Sequence, residues 1–129
     1  MALIRTFKDL IAWQKGMDVA EEVFHLTAGF PPDERFGLTA QVRKAAVAIA
    51  SNVAEGFGRS SRIDYLRFID IARGSANEVE TQLLLAQRLG FLAPRTAKPL
   101  LSLVVEEQKI LMGLAKSLDR SAGDSLRKT

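Results

Sequence analysis

At 129 residues the chain is long enough to bury one core of its own, and its lack of cysteine excludes disulfides, thiolate metal sites and cysteine nucleophiles together. An apolar fraction of 47% and a charged fraction of 26% are those of a globular domain, and no apolar run approaches the length of a membrane-spanning helix. The formal net charge of +3 leans only mildly towards anionic partners, so the placement of charge matters more than its sum.

The opening stretch meets Arg5, Lys8 and Asp9 before an apolar segment of secretory-signal length develops. With the missing cysteines, this predicts a cytoplasmic protein that does not enter a membrane. Leu10, Trp13, Met17, Ala20, Phe24 and Thr27 then recur at three and four residues, which predicts a helix over 9–27 with that stripe facing the core. Trp13 is expected as a core anchor and Asp9 as a group stabilising the helix N-terminus. The run Gly29-Phe30-Pro31-Pro32-Asp33 stops this helix and turns the chain.

A second helix is predicted to start between Glu34 and Leu38 and to end at Gly56, with Leu38, Val42, Ala45, Ile49 and Val53 as its apolar stripe. Gly56 and Gly58 are placed for a left-handed C-terminal cap. The segment 41–59 is unusually slender, small apolar residues interrupted by Gln41, Ser51, Asn52 and Glu55, and suits close approach by another helix. Gln41, Asn52 and Glu55, with Glu78 of the next helix, are expected to form a structural polar network within the bundle or across a subunit contact. Buried amides and acids without partners cost on the order of a few kcal/mol each.

The third helix is predicted over 61–89, opened by Ser61 with Asp64 in a capping-box spacing and closed by Gly90. Tyr65, Phe68, Ala72, Ala76, Val79, Leu83 and Ala86 keep a spacing near 3.5, as bundle helices do, and Gly74-Ser75-Ala76 narrows its middle. Thr96 is the expected cap of a fourth helix, with Pro99 in its first turn and Leu100, Val104, Leu111, Leu114 and Leu118 as apolar surface. Residues 1–119 form the predicted domain and residues 120–129 a flexible tail. Four amphipathic helices joined by short connections predict an all-α, up-down-up-down antiparallel four-helix bundle.

Catalytic patterns are missing. A di-iron bundle uses two Glu-x-x-His motifs, whereas this chain has one, Glu22-Val23-Phe24-His25, and His25 is its only histidine. Gly56-x-Gly58 follows no strand, and no Gly-x-Ser-x-Gly turn exists. Neither an enzymatic activity nor a metal or cofactor is expected. The candidate nucleic-acid-binding residues are Arg43, Lys44, Arg59, Arg62, Arg67 and Arg73, set against Glu55, Asp64 and Asp70. Arg59, Ser60, Ser61 and Arg62 surround the start of the third helix, where free N–H groups favour anions. The competing reading is a solvated surface on which Arg59 pairs with Glu55 one turn back.

Four blocks carry a family resemblance: Phe7 to Lys15, Phe30 to Gln41, Ser51-Asn52-Val53-Ala54-Glu55-Gly56-Phe57-Gly58-Arg59, and Phe68 to Glu80 with Ala72-Arg73-Gly74-Ser75 and Glu78. Together they resemble the bacterial four-helix-bundle proteins named after the 23S ribosomal RNA intervening sequence. That group includes relatives of the accessory variability determinant of diversity-generating retroelements. The resemblance implies a cytoplasmic bundle that assembles into a ring-like homopentamer. For the retroelement relatives it implies a basic surface contacting nucleic acid and a reverse transcriptase; for intervening-sequence members it implies no assigned biochemical activity. Asn52, Glu55, Gly56, Arg59 and Glu78 match the family pattern, and Arg43 matches its basic position. Ala48 and Ala50 depart from a serine and a proline common in relatives, which is expected to straighten the second helix.

Overall fold

The computed structural model describes the backbone of residues 3–127 and the side chains of residues 3–119. Four helices carry the fold: α1 (Ile11–Thr27), α2 (Leu38–Phe57), α3 (Arg62–Arg88) and α4 (Pro94–Arg127). Each packs on its two neighbours in cyclic order, while across the diagonals α1–α3 and α2–α4 no backbones come close among the described residues. Successive helices joined by short turns, each with its backbone close only to its two neighbours, make an antiparallel four-helix bundle, as the sequence predicts. The α2–α3 seam is the most extensive and α1–α4 the least. No helix among the described residues is long and apolar enough to cross a membrane.

The N-terminus departs from expectation. Phe7–Asp9 forms a 3₁₀ turn, and Asp9 serves that turn rather than α1: its Oδ2 accepts from the Arg5 and Thr6 N–H groups at 2.9 and 3.0 Å. Thr6 returns a bond from the Lys8 N–H at 3.1 Å, so the turn is locked from both ends. Helix α1 begins two residues later, at Ile11, with no side-chain cap. Its inner face is also rotated from the predicted stripe. Ala12, Gly16, Val19, Val23 and Thr27 are buried, Trp13 is half-buried against Phe7, and Met17 and Phe24 are exposed. Two apolar stripes run side by side on this helix, and the one with the smaller side chains lets α1 come closest to its neighbours.

A 3₁₀ turn at Pro32–Glu34 precedes α2, and Glu34 Oε1 accepts from the Leu38 N–H at 3.1 Å, standing in for a cap. Helix α2 is continuous through Ala48 and Ala50 and buries Val42, Ala45, Ile49 and Val53 as predicted. Its end is not left-handed: Gly58 sits at φ −80°. Gly56 is there for proximity instead, since a β-carbon on it would stand 2.9 Å from the Phe68 β-carbon. The slender helix therefore finds its close partner in α3 of the same chain.

Ser61 caps α3 by accepting from the Asp64 N–H at 3.1 Å. Ala72, Ala76, Val79, Leu83 and Ala86 are buried, together with Ile69. Gly90, at φ +80°, closes the helix in a Schellman motif: Phe91 N–H reaches Ala86 C=O at 2.9 Å and Gly90 N–H reaches Gln87 C=O at 3.0 Å. Helix α4 starts at Pro94 rather than Thr96, which puts Pro99 in the second turn. It continues across the boundary expected at residue 120, beyond which the side chains lie outside the described residues.

Candidate nucleic-acid interface

The six predicted basic residues do not form one patch. Arg43, near the start of α2, lies against the end of α1. Its Nε donates to Thr27 Oγ1 at 2.8 Å, a terminal nitrogen reaches Phe24 C=O at 3.4 Å, and the guanidinium covers the Phe24 ring at 4.6 Å. A cation against the last carbonyls of a helix complements its dipole, so Arg43 is spent on the fold. Arg73 turns to the α3–α4 side, bonded to Asp70 at 3.2 Å, in a recess shared with Met112 and Lys116.

Three of the others meet at the corner between α2 and α3. Arg59 pairs with Glu55 at 2.8 Å, as the competing sequence reading expected, and its guanidinium lies 4.6 Å from the Phe68 ring centre. Arg67 covers the same ring at 5.0 Å and approaches Asp64 at 3.6 Å. Arg62, at the first position of α3, is exposed and pairs with no acid among the described residues. Phe68 thus orients two guanidiniums by cation–π contact beside the N-terminal turn of α3. The carboxylates of Glu55 and Asp64 offset much of their charge.

Lys44 stands apart, in a shallow groove between α2 and α3 with Gln41, Ala45, Ala48, Ser75 and Glu78. Gln41 and Glu78 of the predicted polar network are therefore neighbours on the surface. The network itself does not form within the chain: Asn52 donates to Ala48 C=O of its own helix at 2.8 Å, Glu55 goes to Arg59, and among the described residues no hydrogen bond links any two of the four. Gln41, Glu55 and Glu78 are exposed, so water satisfies them.

The buried acid is a different residue. Glu107, in the middle of α4, is fully enclosed, and neither carboxyl oxygen has a hydrogen-bond partner. Burial pushes its pKa up to about 9, helped by the nearby Glu106 and Asp18 carboxylates and opposed by Lys15. Lys15 and Glu106 pair at 3.4 Å on the rim of the same seam. Sequence reasoning passed over Glu107, yet the sign was present: the stripe Leu100, Val104, Leu111 leaves one inward position between 104 and 111, and glutamate occupies it.

Among the described residues no group of three or more His, Asp or Glu is arranged to hold a metal ion. His25 is exposed on α1, 3.7 Å from Glu22.

No curated protein matches the sequence. Among solved structures, a Bacteroides thetaiotaomicron protein of unknown function from the S23 ribosomal protein family superposes with a TM-score of 0.75 at 21% identity, over 82% of this chain and 99% of the other. At that identity the likeness speaks for the bundle fold alone. Residues 8–113 match the family model described as 23S rRNA-intervening sequence protein, which spans the first three helices and most of α4, and the chain belongs to that family.

Proposed function

We propose that this chain is a non-enzymatic homo-oligomeric bundle that binds RNA or DNA weakly, through phosphate contacts at the α2–α3 corner. The observation that carries the reading is the pair of guanidiniums held on Phe68, with Arg62, which pairs with no acid among the described residues, at the adjacent helix start. Planar, pre-oriented guanidiniums next to free helix N–H groups suit a phosphate oxygen better than mobile lysines do. One such corner supplies little affinity. Five copies, the number the family resemblance implies, would carry a charge of about +15 and add weak contacts by avidity. Lys44 lies outside the corner and is assigned to the groove it lines.

The test is electrophoretic mobility shift of structured RNA and duplex DNA across a salt series, with light scattering on the same sample. Retardation that weakens steeply with salt and is lost in Arg59→Glu/Arg62→Glu supports the reading. Binding that ignores salt, or none in dilute buffer, refutes it. A second reading, a protein adaptor such as one serving a reverse transcriptase, draws on exposed apolar side chains at both ends of the bundle, Phe36 and Ile63. Capture of a partner that survives the double charge reversal, without any nucleic-acid retardation, favours the adaptor.

A further inference from the structure

We propose that the α1–α4 seam is a proton-operated latch, closed while Glu107 is a neutral carboxylic acid and released when that acid ionises. Glycine in mid-helix weakens a helix by about 1 kcal/mol relative to alanine, yet Gly16 sits in the centre of α1. A β-carbon there would stand 3.1 Å from Glu107 Oε2 and 3.2 Å from both the Ala50 backbone nitrogen and Ile49 Cγ2. Gly16 therefore leaves room for the carboxyl group at the point where α1 also approaches α2.

Neither carboxyl oxygen finds a hydrogen-bond donor in that space. Around Gly16, helix α2 presents Ile49 and Ala50, neither of them ionisable. The charged groups acting on it are Lys15 and Asp18 from α1 and Glu106 from its own helix, and on the α3 side Glu80 is taken up by the adjacent Gln108 at 2.8 Å. Ionised, Glu107 would join two acids against a single cation, and that cation is already engaged with Glu106 on the rim. A carboxylate can then gain water or Lys15 only if the seam parts. The seam it spans is the least extensive of the four, so α1 is the element that yields while α2, α3 and α4 keep their larger contacts.

The direction with pH follows from linkage. A group whose folded pKa lies above its unfolded value stabilises the closed form fully at low pH, and the stabilisation is lost as pH rises. For Glu107 that window runs from the ordinary value of 4.5 to about 9. Across it the unfolding constant should rise about tenfold per pH unit, the slope of one proton.

The experiment uses the full-length chain in three forms: wild type, Glu107→Gln and Glu107→Met. Chemical denaturation from pH 5.5 to 9 should show the one-proton slope in wild type and a flat profile in both variants. Amide hydrogen exchange, corrected for intrinsic rates, should show α1 losing protection before α2 and α3 as pH rises. Carbon-13 NMR of wild-type side-chain carboxyl groups should show one carboxyl still protonated at neutral pH, a readout that stands even if a variant does not fold. A Glu107 carboxyl that titrates near 4.5 overturns the proposal. So does an equal pH slope in wild type and variants, or uniform loss of protection over all four helices.

Discussion

Glu107 Oε2 lies 3.1 Å from where a β-carbon of Gly16 would stand, so the glycine of one helix and the acid of another occupy a single packing site. The first prediction follows from that contact. Glycine to alanine in a helix ordinarily stabilises by about 0.5–1 kcal/mol. At Gly16 the sign should reverse, because the added methyl group meets the carboxyl oxygen, the Ala50 backbone and Ile49 together, and overpacking costs about 1–3 kcal/mol. Gly74→Ala is the control. A β-carbon there meets nothing within 4 Å, so the ordinary gain should appear. Urea denaturation of both variants checks the contrast; shifts of equal sign would contradict it.

Gly56 predicts a larger penalty. Its missing β-carbon would stand 2.9 Å from the Phe68 β-carbon and 3.1 Å from the Tyr65 carbonyl oxygen, and neither is the free end of a flexible side chain. Gly56→Ala must therefore splay α2 from α3 at their most intimate contact, with an expected loss of about 2–3 kcal/mol. The same splaying moves Phe68 from beneath Arg59. If the corner binds phosphate, this uncharged substitution should also weaken nucleic-acid retardation in dilute buffer, although the net charge is unchanged.

How much of this was legible in the sequence differs from helix to helix. The stripes of α2 and α3 were readable because small or branched apolar residues on one side contrast with charge on the other. Helix α1 was not, because Met17 and Phe24 make its outward face as apolar as its inward one, and hydrophobicity cannot rank Gly16 as a core position. The polar positions misled for a related reason. Asn52 and Glu55 lie in a slender helix and look enclosed, but α2 turns its larger apolar residues inward and leaves Glu55 in water. Glu107 looked like surface because Glu106 stands beside it and Gln108 follows. Only its place between Val104 and Leu111 marked it as inward. The pairing of Arg59 and Arg67 on one ring was beyond sequence pattern, since it depends on how closely α2 approaches α3.

Thr27 and Arg43 give a third prediction. Thr27 Oγ1 donates to Val23 C=O at 2.7 Å and accepts from Arg43 Nε at 2.8 Å, linking the end of α1 to the start of α2. A double-mutant cycle with Thr27→Val and Arg43→Ala should return a coupling of about 1 kcal/mol, that of one partly solvated charged hydrogen bond. Arg43→Ala alone should lower stability while leaving nucleic-acid retardation unchanged, in contrast to Arg62→Ala. Equal loss of binding in the two variants would move the interface to the α1–α2 side.

The last prediction concerns acid rather than alkali. Backbone hydrogen bonds from Arg5 and Thr6 hold the Asp9 carboxyl below its ordinary value of 3.8, with a smaller contribution from Lys8. A depressed folded pKa means that the stabilisation is present above the unfolded value and is lost as pH falls through the folded one. The 3₁₀ turn before α1 should therefore loosen below about pH 4, visible as growing mobility of Phe7 against Trp13 in tryptophan fluorescence. Asp9→Asn should show the loosened signal at neutral pH and no further change on acidification. Glu107 gives the opposite profile, being neutral and undisturbed in acid. Both acids bear on α1, one at the turn that precedes it and one beside Gly16 in its interior, so the helix should hold most firmly just above the acid transition and loosen on either side. A fluorescence change that Asp9→Asn shares with wild type in acid would assign the transition to another carboxylate.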